Sequence, residues 1–178
     1  KSGQLVFWRD DIFNRFDETR NNLISIFIPN SKKVFLNLDF LEMRKLKIAK
    51  LEAIKNNLVG NFGRSEYSKG IISFGDNKEK YPLKLRLKGT TSVHFRHSSS
   101  WSFKGKTKNI TPIFPNTQFS LQRPLARSGI DEFIFQKMLK YHNLFSHRMK
   151  LVNLSLNNQN LGNYFFIDGY TKYFVEAN

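Results

Sequence analysis

Cations and small hydroxyl residues alternate with leucines over residues 81–108, YPLKLRLKGTTSVHFRHSSSWSFKGKTK. Lys84, Arg86 and Lys88 fall on one side of a period-two pattern, and Leu83, Leu85 and Leu87 fall on the other. That period predicts a half-buried strand. A second run repeats it, with Trp101 and Phe103 against Ser102 and Lys104. Gly89 breaks the first run, and a loop rich in Ser, Thr and His joins the two. Two cation-bearing strands around a small-residue loop suit a surface that receives anions. A hairpin with a solvated basic face fits the same residues.

Other residues extend this candidate site. Arg123 and Arg127 flank a basic turn that enters a helix, whose N-terminus adds a favourable partial charge for anions. Arg86, Lys88, Lys104, Arg123 and Arg127 are therefore candidates to face one cleft and hold a triphosphate. Glu132, in the first turn of that helix, is a candidate partner for Lys104. A strand lysine paired with a helix glutamate positions nucleotide phosphates in kinases. Glu132 fits equally well as an acid that complements the helix N-terminus. Lys50, on an earlier helix, is expected away from the cleft.

Alternative chemistries find less material. Neither G-x-x-x-x-G-K-[ST] nor G-x-G-x-x-G occurs. His94 and His97, and His142 and His147, have no Cys or carboxylate company at ligand spacing, so no metal ligand is assigned. Ser98, Ser99 and Ser100 have no local base, and no catalytic residue is assigned. The absence of Cys removes disulfides, thiolate zinc sites and cysteine nucleophiles, and leaves the compartment open. A net charge of +15 attracts nucleic acid, anionic lipid, nucleotides or acidic proteins without choosing among them. No apolar run approaches the ~20 residues that span a bilayer.

The elements that must position these residues follow from periodicity. The 178 residues suffice for a real core, and 18 Phe supply it. Strands are expected at 23–28, 33–39, 70–74, 81–88, 101–106, 118–122, 149–156 and 161–167. Asn157-Asn158 is expected to turn the last hairpin. Helices are expected at 40–58 and 130–144. In the first, Leu41, Leu46, Ile48, Leu51, Ile54 and Leu58 form an apolar stripe. In the second, Phe133, Ile134, Met138, Leu139 and Tyr141 are expected to pack, with Lys137 and Lys140 outside. The fold class expected is α+β, an antiparallel sheet with two principal helices.

Several segments together carry a family resemblance: YPLKLRLKG at 81–89, WSFK at 101–104, FSLQRPLAR at 119–127, EFIFQKML at 132–139 and LVNLSLNNQNLGNY at 151–164. In order and spacing the chain resembles the spore-coat protein CotH kinase family, in its bacterial CotH-like branch, over residues 33–178. Residues 1–32 then form an N-terminal extension or edge strand. The resemblance implies the N-terminal lobe of an atypical protein-kinase-like fold. It also implies ATP with Mg²⁺, and Ser/Thr phosphorylation of secreted or cell-surface proteins. Two departures bear on nucleotide binding. Where relatives carry several acidic residues after the last hairpin, this chain keeps only Asp168, preceded by Ile167. Where they often carry Lys before the tryptophan, it has Ser100. The family's catalytic and metal-binding aspartates belong to a C-terminal portion that these residues do not reach. The expected partners are thus ATP, that missing portion and a protein substrate, and the isolated piece is expected to be inactive. The competing readings are a basic module for polyanions or nucleic acid, and a surface-structural protein with a degenerate kinase fold.

Overall fold

Alternation of apolar and polar residues marks most of the described strands, and the strands close on themselves. A computed structural model describes residues 31–56, 67–75, 79–89, 94–95, 101–109, 111, 113, 116–127 and 130–169; the side chains of Leu125 and Arg127 lie outside the described set. The strand expected at 23–28 and the extension before it lie outside the described residues. Seven strands are described: β1 (Lys32–Asn37), β2 (Ser68–Phe74), β3 (Lys80–Leu87), β4 (Phe103–Thr107), β5 (Gln118–Gln122), β6 (Met149–Leu156) and β7 (Gln159–Asp168). Helix α1 spans Phe40–Asn56 and helix α2 spans Asp131–Tyr141, with a 3-10 turn at Pro124–Arg127.

The strand order is β1-β2-β3-β4-β5-β7-β6, and the ring closes where β1 pairs with β6. That closing pair is parallel, with Val34 opposite Leu154, while all other neighbours are antiparallel. The architecture is a closed mixed barrel, and it overturns the expected α+β sheet with two principal helices and its likeness to a kinase lobe. Local periodicity encodes each strand, but it does not encode that the first and sixth strands meet. Closure removes the exposed edges that an open sheet would leave.

Inward-facing residues fill the barrel. Val34, Leu36, Ile72, Leu85, Phe103, Leu121, Val152, Leu154 and Phe166 are all fully buried. Each such side chain contributes about 1.5–3 kcal/mol of burial. Phe119 stacks on Phe166 with ring centroids 4.5 Å apart. Gly105 makes room for that stack, since a Cβ there would lie 2.4 Å from the Phe119 ring. Strand β7 is buried on both faces, which explains its continuous apolar run in YFFI.

The helices sit where periodicity predicts, but the faces they bury differ. Helix α1 lies across one end of the barrel and buries Leu46 and Ala53, with Met43 and Ala49 partly buried. Of the expected stripe Leu46 packs, but Leu41, Ile48, Leu51 and Ile54 are exposed, and Leu58 lies outside the described residues. The residues that pack, Met43, Leu46, Ala49 and Ala53, follow one another at steps of three and four. Helix α2 lies on the outer face of β6 and β7. There Phe133 stacks on Phe165 at 5.7 Å, beside Met149, Leu151 and Ile167. Ile134, Met138 and Tyr141, which were expected to pack, are exposed.

Candidate anion-binding site

The alternation in β3 and β4 sends every basic side chain of these strands to the outside of the barrel. Leu83, Leu85 and Leu87 are buried inside, as are Phe103 and Trp101. Strands β3 and β4 are adjacent and antiparallel, as the sequence predicts. On the outer face Arg86 stands opposite Lys104, and Lys104 opposite Ser120. One row further along, Lys69 stands opposite Lys84, and Lys84 opposite Lys106. Like charges placed directly opposite one another cost stability. Two consecutive rows of cations therefore make a surface that gains from a bound anion.

An aromatic ring is set among these cations. The Arg86 guanidinium lies 5.2 Å from the Tyr67 ring centroid, and the Lys106 ammonium lies 5.3 Å from it. Both distances are within cation–π range. The Lys88 ammonium donates to the Ser120 hydroxyl at 2.9 Å, and its backbone N–H donates to the Ser102 carbonyl at 2.9 Å. These bonds hold Lys88 beside Lys104 through the strand that they share as neighbour.

Three of the six expected site residues, Arg86, Lys88 and Lys104, are thus brought to one face. Arg123 is not on this half-buried face with them: it is buried, its backbone N–H reaching the Ser102 hydroxyl at 3.5 Å. Its charge is felt by Lys50 of α1, whose ammonium lies 4.7 Å from the Trp101 ring centroid. Burial, and then the charge of Arg123, push the Lys50 ammonium down to about 8. Lys50 is therefore close to Arg123, contrary to the expectation that it lies away from these residues. The Arg127 side chain lies outside the described residues. Glu132 is on α2, where its Oε1 accepts from Gln136 Nε2 at 3.5 Å. Lys104 instead has Arg86 and Ser120 as its cross-strand neighbours.

Sequence reasoning did not assign Lys69, Lys106 or Tyr67 to the site. Their signal was the cross-strand register, which a single strand's pattern does not contain.

The phosphate part of the implied cofactor fits this face, since it offers several ammonium and guanidinium donors. For the metal, this face supplies no carboxylate among the described residues named above. Among the described residues no group of three or more His, Asp or Glu could hold a metal ion. Asp168, at the position where the resemblance expects acidic residues, is buried. Its Oδ1 accepts from Asn116 Nδ2 at 2.7 Å, and its Oδ2 meets the Arg148 guanidinium in an ion pair. No helix among the described residues is long and apolar enough to cross a membrane.

No protein-family model matches this chain, and no curated protein matches it.

Proposed function

We propose that the outer face of β3 and β4 binds nucleotide phosphates. This is the role that resemblance to the CotH kinase family implies for this portion of a protein kinase acting on secreted or surface proteins. One observation carries the reading: Arg86, Lys88 and Lys104, selected from the sequence, gather half-buried on a single outer face beside Ser120. The closed barrel lends nothing to it, so the reading stands on the site and not on fold analogy. These residues alone perform no phosphoryl transfer, because that reaction needs a bound metal and a group that orients the hydroxyl.

A second reading has its own support. The row Lys69, Lys84 and Lys106, with Tyr67 between Arg86 and Lys106, continues the charge along the same face. Backbone-tracking cations around an aromatic ring suit a single-stranded nucleic acid or another polyanion.

One titration series separates the two. ATP with Mg²⁺ is compared with an oligothymidylate by calorimetry at several salt concentrations. Nucleotide binding predicts saturable ATP uptake that Lys104→Ala weakens and that Lys47→Ala, on the exposed side of α1, leaves intact. Polyanion binding predicts tighter oligonucleotide uptake, with an affinity that falls steeply as salt rises. Absence of binding to either ligand would remove both readings.

A further inference from the structure

A groove of about 260 Å³ runs between α2 and the start of β6, away from the face of β3 and β4. It is lined by Lys137 and Lys140 of α2, by His147 and Arg148 of the connection, and by Met149 and Lys150 of β6, with Phe133 and Gln136 beneath. Among the described residues no Asp or Glu lines it. The groove's members are fixed by contacts that leave the ammonium groups in place. The Gln136 Oε1 accepts the His147 backbone N–H at 2.6 Å, which ties the connection to the helix. The Lys150 ammonium donates to the Ile113 carbonyl at 3.0 Å, and the Lys137 ammonium lies 5.4 Å from the Phe133 ring centroid. Arg148 is paired with Asp168.

We propose that this groove is a second anion site, distinct from the barrel face, that takes a small ligand bearing two or more phosphate charges, with pyrophosphate the simplest of the class. The volume lies below the roughly 300–1,000 Å³ of sites for drug-sized ligands, so the ligand is ion-sized. The donors decide the chemistry. A planar carboxylate is best met by an arginine fork, and the one arginine here is already engaged by Asp168. Three lysines that line the groove from two elements as point charges suit tetrahedral phosphates instead. Burial comes first in holding the Lys150 ammonium below its ordinary value, followed by the charges of Lys32, Lys137 and Lys140. A bound polyanion relieves that mutual repulsion, and the apolar floor of Phe133 and Met149 strengthens it by excluding water.

The test is a pyrophosphate titration of the 178-residue chain at constant ionic strength, followed by amide nuclear magnetic resonance. The expected result is saturable movement of the signals of Lys137, Lys140, His147 and Lys150. The double substitution Lys137→Gln with Lys140→Gln should weaken binding about tenfold or more, as the loss of charge-assisted bonds predicts. Both side chains are exposed, so folding should survive, and Lys140→Arg should retain most of the affinity. Lys104→Ala should leave this titration unchanged, which separates it from binding at the barrel face. Shifts that never saturate, shifts confined to β3 and β4, or wild-type affinity in the double variant would each overturn the proposal.

Discussion

Arg86 and Lys104 stand directly opposite each other across the β3–β4 ladder, with both side chains on the outer face of the barrel. A folded protein gains nothing from this pairing, because like charges in register repel. Lys104→Gln is therefore expected to stabilise the fold by about 0.2–1 kcal/mol, seen as a higher denaturation midpoint in urea. The same substitution should weaken phosphate binding at this face. Opposite signs in the two measurements mark a site that spends stability on ligand binding. A loss in both would make Lys104 a structural residue.

Lys50 carries a second expectation. Its ammonium titrates at about 8 when folded, against 10.5 as the ordinary value, and burial is the first cause. Between those values the unfolded chain binds the extra proton, so stability rises as pH climbs from about 8 to about 10.5. Below that window the buried charge costs stability, offset in part by its contact with Trp101. Lys50→Met should raise stability near pH 7 by about 1 kcal/mol, a figure reduced for solvent screening. The gain should shrink across the window and be gone above it. Thermal melts at three pH values test this; a gain independent of pH would assign it to packing alone.

Individual strands were legible because each has one face in the barrel and one outside it. KVFLN and YPLKLRL alternate, and the structure reads out the same alternation, whereas MKLVNLSL is buried on both sides at Leu151 and Val152 because α2 covers its outer face. Closure was not legible, since Val34 and Leu154 meet across 120 positions and nothing local records their pairing. The helix faces misled for a related reason. Leu41, Ile48 and Leu51 make a good amphipathic stripe, but the barrel mouth admits only the side around Leu46 and Ala53. In the candidate site, Arg86, Lys88 and Lys104 were legible from the strand period. The burial of Arg123 was not, because a charged residue in a turn normally reads as exposed. The groove lysines were missed because Lys137 and Lys140 read as a solvated side of α2.

One turn residue adds side-chain bonds to the β1–β6 closure. Asn157 and Asn158 have φ of 47° and 65°, as a tight hairpin turn with two left-handed residues requires. Asn157 also bonds across to the end of β1: its Oδ1 accepts the Leu38 N–H at 2.8 Å, and its Nδ2 donates to the Leu38 carbonyl at 3.0 Å. Asn157→Gly keeps the backbone conformation and removes both bonds, so it should cost about 1–3 kcal/mol. Asn158→Gly should be neutral or slightly stabilising, since Asn-Gly suits this turn best. Chemical denaturation of the two variants compares them directly. Equal effects would show that the side-chain bonds contribute nothing.

Asp168 gives the most direct test of how far the family resemblance extends into chemistry. The resemblance places acidic residues here, which invites a metal-binding role. The structure surrounds this carboxylate with protein: Asn116 donates to Oδ1, Arg148 pairs with Oδ2, and the Asp168 N–H donates to the Arg148 carbonyl at 3.0 Å. Asn116 also donates to the Gly169 carbonyl at 2.8 Å and accepts the Gln118 N–H at 3.1 Å, so one network ties β5, β7 and the residue before β6 together. Removing one partner of a buried pair leaves the other charge without its counterion. Asp168→Ala should therefore cost about 3–5 kcal/mol. Asp168→Asn retains the shape and loses the charge, so its cost should be smaller. A structural Asp168 predicts that excess Mg²⁺ leaves the wild-type melting temperature unchanged, and that Asp168→Asn lowers it by the same amount with or without Mg²⁺. A metal-ligand role predicts the reverse: wild type stabilised by Mg²⁺, the Asn variant indifferent to it, and little difference between the two when Mg²⁺ is absent.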